Sequence, residues 1–150
     1  MTHQEQRLFL EDLEPGQVFE SGRFEVTAEA IKRFAGEYDP QPFHLSENDA
    51  KDSFFGGLAA SGWHTAAMTM RLLVESLPLA GGIVGASMDA LAWPRPVRPG
   101  DVLRLRSEIV ELRPSKSNPR RGMAKVRTTT LNQNDEPVQT LVANLVLQRR

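Results

Sequence analysis

"ASGWHTAAMTMRLLVESLP", residues 60–78, is the stretch on which the fold turns. Between Gly62 and Leu77 only His64, Arg71 and Glu75 can carry charge, and small or apolar residues occupy nearly every side. At about 1.5 Å per residue the segment makes a helix about 24 Å long. Pro78 and the Ala80–Gly82 run end it. A helix apolar on most sides is enclosed by other elements, not laid on a surface. Whatever encloses it has to come from the rest of the chain.

The strands come next. "IVGASMDALAW" (83–93) leads through the turn-rich "PRPVRPGD" (94–101) into "DVLRLRSEIVELR" (101–113). There Leu103, Leu105 and Ile109 share one parity while Val110 and Leu112 fall on the other, which predicts a bulge near Ile109. "MAKVRTTTL" (123–131) alternates cleanly through Ala124, Val126 and Thr128. After the turn "NQNDE" comes "VQTLVANLVLQ" (138–148), apolar on both parities as in a strand covered on both faces. One enclosed helix followed by four long antiparallel strands is an α+β arrangement, a sheet wrapped around a buried central helix.

Upstream, "QVFESGRFEV" (17–26) is a short extended piece. Thr27 is an N-cap, and Ile31, Phe34, Ala35 and Tyr38 recur at helical spacing, predicting a helix over 28–38. That helix stops before Pro40, because a residue preceding proline avoids helical geometry. "SEND" (46–49) has the spacing of a capping box and predicts a second, short helix broken at "FFGG".

The chain of 150 residues reads as one domain, with residues 1–14 peripheral. Eighteen basic and nineteen acidic side chains leave a formal charge of -1, so no global field points to nucleic acid or membrane. Without cysteine there is no disulfide, thiolate metal site or cysteine nucleophile. The N-terminus lacks an export pattern and no run reaches a membrane span, so a cytoplasmic protein is expected. His3, close to the terminus, is given no role. Metal and triad motifs (H-E-x-x-H, G-x-S-x-G) are absent, so no metal site is expected.

Three places carry candidate chemistry. In "DPQPFH" (39–44), two prolines stiffen the chain between Asp39 and His44, fixing a carboxylate and an imidazole at a set separation. Reference pKa values of about 3.9 and 6.5 suit such a pair to proton transfer. On spacing alone, a capping acid and a packed histidine remain the commoner outcome. Ser61 and Gly62 open the long helix, where free N–H groups favour negative charge. They read as an oxyanion site or, for Ser61, as an ordinary N-cap. His64, one turn in, reads as a pocket residue or a satisfied core histidine. Third, Arg95, Arg98, Arg104, Arg106 and "RPSKSNPRR" (113–121) suit the phosphates of a nucleotide-like carrier, or simply form solvated strand faces.

Taken together, "FAGEYDPQPFHLSENDA" (34–50), "ASGWHTAAM" (60–68) and "WPRPVRPGD" (93–101) resemble the MaoC-like dehydratases, the (R)-specific enoyl-CoA hydratases with a hot-dog fold. The similarity runs from about residue 15 onward. It implies that Asp39 and His44 hold one water, which adds to C3 of a 2-enoyl-CoA thioester to give a 3-hydroxyacyl-CoA. By position, the Gly62 N–H, with Ser61 beside it, binds the thioester oxygen. No cofactor is implied beyond the coenzyme A of the substrate, and a homodimer or higher homo-oligomer is implied. Two departures stand out: Gln41 replaces the family's Asn, and Ser61 replaces the His of a His-Gly pair. With them, Gln41, Trp63 and His64 are expected at the substrate pocket, Trp63 narrowing it toward short or polar acyl groups. A hot-dog thioesterase and a non-catalytic acyl-CoA-binding subunit are the alternatives.

Overall fold

The computed structural model describes residues 7–150, so His3 lies outside the described residues. Thr27 caps the first helix, α1 (Ala28–Tyr38), its side chain accepting from the Ala30 N–H at 3.1 Å. Ile31 and Ala35 are buried on the inner face, while Tyr38 projects into solvent. Two four-residue helices follow, α2 (Pro42–Leu45) and α3 (Glu47–Ala50), the second capped by Ser46. Gln41, before Pro42, is extended (φ -107°, ψ 148°), and the chain turns helical only from the proline onward. Pro42 sits at the first helical position, where its missing N–H costs nothing.

The long helix, α4 (Gly62–Ser76), begins at its N-cap Ser61 and ends at Leu77, before Pro78. Two short strands, β1 (Val18–Glu20) and β2 (Phe24–Glu25), and four long ones complete the chain: β3 (Val84–Ala92), β4 (Val102–Pro114), β5 (Arg121–Leu131) and β6 (Pro137–Gln148). The sheet runs β1-β4-β5-β6-β3, with β2 also on β4, and every pair is antiparallel. The register shift predicted near Ile109 lies between Ile109 and Glu111. This is the hot-dog arrangement, with α4 packed across β4 and β6.

Leu103, Leu105 and Ile109 on β4 are fully buried under the helix, each contributing about 1.5–3 kcal/mol of transfer free energy. Polar seams cross the same face: Thr69 on α4 bonds Thr130 at 2.7 Å, and Ser107 bonds Thr128 at 3.2 Å. Such buried hydroxyls are tolerated because each finds a partner.

Three expectations need correction. The described part of the segment expected at the periphery, residues 7–14, is not peripheral, since Leu10 and Leu13 join the core. Their burial comes from a chain that runs beside Leu79 and over Gly122, where an added Cβ would lie 2.5 Å from Leu10. α4 is not enclosed. His64, Thr65, Met68, Thr69, Leu72 and Leu73 face inward, while Trp63, Ala67, Met70 and Val74 lie on an open side, because one sheet covers only one side of a helix. β6 likewise is only half-buried along its middle, and β3 is exposed along nearly its whole length.

Candidate active site

Asp39 is the C-cap of α1, and its backbone (φ -153°, ψ 66°) turns the chain out of the helix. The turn of α2 then lifts His44 back, so its Nε2 lies 3.3 Å from Asp39 Oδ2. His44 is 4% exposed, and its Nδ1 lies 2.6 Å from the Ala59 carbonyl oxygen. A carbonyl only accepts, so Nδ1 carries the proton and donates it. In the neutral ring Nε2 is therefore a lone pair, facing a carboxylate oxygen. Two proton acceptors converge on one point.

Around Asp39 the donors are in place. Gln41 Nε2 donates to Oδ1 at 2.5 Å, and the fully buried Ser61 hydroxyl stands beside the same carboxyl. Burial pushes the Asp39 carboxyl up, but the Gln41 amide and the Ser61 hydroxyl, together with the positive charge His44 carries when protonated, outweigh it and hold the group below its ordinary value. Asp39 is thus ionised at neutral pH.

A cavity of about 480 Å³ opens beside this pair. His44, Gly62 and Thr65 line its inner end, and Phe54, Phe55 and Trp93 form its walls. Gly62 stands at the start of α4, where its N–H finds no partner among the described residues. An added Cβ there would lie 2.7–2.9 Å from three ring atoms of Trp93. The close approach that requires glycine is thus made by an indole.

Other expected pocket residues sit elsewhere. Ser61 stands beside Asp39, and its hydroxyl accepts from the Trp63 N–H at 3.3 Å as the N-cap of α4. Gln41 holds Asp39 and does not line the cavity. His64 points to α1 and stacks on Phe34 with ring centroids 4.7 Å apart. Burial, with the charge of Arg33, holds its imidazole below the usual histidine value. Trp63 is 58% exposed and meets Trp93 edge-on from outside, at 5.4 Å. It backs the wall without forming it.

The wall residues were missed in the sequence. Trp93 closes β3 and its Nε1 donates to the fully buried Gln139 at 2.9 Å. Phe55 belongs to the "FFGG" break, read only as a helix stop. Arg98 donates to the carbonyls of Phe55, Gly57 and Leu58 and so fixes that loop over the cavity. It is therefore not free for a phosphate, and Arg95 and Arg104 are paired with Glu136 and Asp135.

The sequence profile of the MaoC like domain matches residues 12–132. A MaoC-like dehydratase from Rhodospirillum rubrum, known from its crystal structure, is 57% identical, with a TM-score of 0.92 over 95% of this chain and 98% of that one. The 3-hydroxybutyryl-CoA dehydratase of Methylorubrum extorquens is 33% identical over 114 residues, 75% of this chain and 71% of that protein. The Bacillus subtilis protein YdeM is 33% identical over 130 residues, 86% of this chain and 91% of its own length.

Proposed function

The chain belongs to the MaoC-like domain family, and from that premise we propose that it catalyses the reversible hydration of a 2-enoyl-CoA thioester to a 3-hydroxyacyl-CoA. The observation that carries the reading is the pair of acceptors, Asp39 Oδ2 and His44 Nε2, 3.3 Å apart, with His44 lining a largely apolar cavity. A water lying against both donates one hydrogen to each. As its oxygen bonds to C3, one proton passes to this pair and the C2=C3 electrons move toward the thioester oxygen. The Gly62 N–H, at the positive end of α4, stabilises the developing enolate. Delivery of the proton to C2 completes the addition, and the reverse sequence is dehydration. Every atom of the water ends in the product, so the reaction calls for no cofactor beyond the carrier. The name of the Methylorubrum relative supports this substrate class.

The open side of α4 and the exposed edge of β3 supply the second part of the proposal, a homodimer. Trp63, Met70, Val74, Val84 and Met88 are 42–58% exposed. A second copy adding its β3 to this edge would pair the strand and cover that stripe.

The test is a panel of 2-enoyl-CoA thioesters followed by loss of the conjugated absorbance and by release of free thiol. Loss of absorbance without thiol is the expected result. Thiol release would replace the reading with a thioesterase, and binding without any change in the panel would replace it with a carrier-binding subunit.

A further inference from the structure

A second hollow, about 430 Å³, lies far from the first, where β4 ends and β5 begins. Arg113, Lys116 and Arg121 border it, and Pro114, Met123 and Val146 give it an apolar floor. Among the described residues none of the three cations has a carboxylate within ion-pair distance. Glu111, which shares a neighbouring hollow with Arg113, makes no ion pair with it. Of the other arginines of the basic stretch, Arg95 and Arg104 are paired with acids and Arg98 is occupied by carbonyls, while Arg106 and Arg120, also without an ion pair among the described residues, do not border this hollow. Like charges held together without a counter-charge repel one another, an arrangement that a bound anion relieves.

The connection that carries them is ordered. Ser115 Oγ accepts from the N–H groups of Ser117 and Asn118 at 3.3 and 3.1 Å, Asn118 Oδ1 accepts from Arg120 at 2.9 Å, and the Ser115 N–H donates to the Arg121 carbonyl at 3.0 Å. A turn already fixed this way loses little entropy when a ligand arrives. We propose that this hollow binds the phosphate groups of a nucleotide, its base on the apolar floor and its phosphates on Arg113, Lys116 and Arg121. Guanidinium pairs bidentately with phosphate, and an ammonium adds a point charge.

β4 spans 13 residues, about 40 Å at roughly 3.3 Å per residue, and the two cavities lie at its opposite ends. One thioester therefore does not fill both hollows of the same chain. The nucleotide is either a free one or the nucleotide portion of a thioester whose acyl group lies in a second copy. This last source alone rests on the hydratase reading.

The experiment is calorimetry of the full chain with adenosine 3′,5′-bisphosphate at low salt. The comparison is Arg113→Ala/Lys116→Ala/Arg121→Ala, with Lys32→Ala/Arg71→Ala, on the helices, as a control for lost charge elsewhere on the molecule. The expected result is binding by wild type and control, weakened at least about tenfold in the triple variant, as loss of charge-assisted bonds implies. No binding by wild type, or equal weakening in the control, overturns the proposal. KM values for matched coenzyme A and pantetheine thioesters then separate the sources. A triple variant with KM raised for the coenzyme A thioester alone assigns the site to the substrate carrier, and one with neither KM moved assigns it to a free nucleotide. The calorimetry needs no turnover, so a failed hydratase assay leaves that arm intact.

Discussion

Asp39 and His44 face each other because each has its own neighbours behind it. The Ala59 carbonyl fixes the tautomer of His44, Gln41 donates to the carboxylate of Asp39, and the Ser61 hydroxyl lies beside that carboxylate. If the two share one water, Asp39→Asn and His44→Gln each lower kcat by about 10²–10⁴, and the double variant is little worse than either single one. Kinetics on a short 2-enoyl thioester checks this, and a fully additive double variant would break the shared-water mechanism. Ser61 acts differently, through Asp39. The folded carboxyl is held below the ordinary value of about 3.9, so its contribution to stability is complete above that value and fades as pH falls through the folded one. Removing that hydroxyl in Ser61→Ala moves the Asp39 titration upward. Carbon NMR of the carboxyl reads the shift directly, and an unmoved titration would remove Ser61 from this role.

Elements were legible where a single residue type forces a boundary. Thr27 and Pro40 bracket α1, Ser61 and Pro78 bracket α4, and a parity slip marks the bulge at Ile109. The turn of α2 was not legible, because proline suits an extended chain and a first helical position equally well. The cavity walls were hidden for another reason. Trp93 follows the end of β3 and Phe55 lies in the loop between α3 and α4, and their placement depends on Gln139 and Arg98, which are distant in sequence. Small, apolar composition likewise marked α4 as enclosed without showing that its Ala67 side stays open in one chain. That exposure changes what a charge there does. Ala67→Arg is expected to keep a normal melting temperature and to shift sedimentation from dimer to monomer. An unfolded variant would mean that the side is covered within one chain. At the cavity, Trp93→Ala enlarges the wall facing Gly62, and turnover of longer enoyl chains rises relative to short ones. The same change at Trp63, outside the cavity, moves that profile less.

At the scale of the molecule, one turn ties the site to the sheet. Asp101 accepts from the Arg98 N–H at 2.8 Å and from Gln133 at 3.0 Å, and its own carbonyl accepts from Val26 at 2.8 Å. Gly100, at φ +88°, donates to the Val26 carbonyl at 2.7 Å from a backbone conformation that glycine adopts without strain. From this anchored turn Arg98 reaches across to three carbonyls of residues 55–58, the loop that delivers Ala59 to His44. The chain from β2 and the β5–β6 turn to the imidazole is therefore continuous through one guanidinium. Arg98→Met keeps much of the side chain's volume but leaves those carbonyls without a donor, a loss of about 2–3 kcal/mol. Arg98→Lys restores little, since one ammonium does not reproduce a planar fork. Urea unfolding measures the stability, and hydrogen exchange at residues 57–60 measures the loop. Both variants are expected to exchange faster there and to lose turnover even at temperatures where they are fully folded, because His44 no longer keeps its Nδ1 partner in place. An unchanged unfolding midpoint with unchanged exchange would show that the loop is held by its aromatic contacts, Phe43 against Phe55, and not by the arginine.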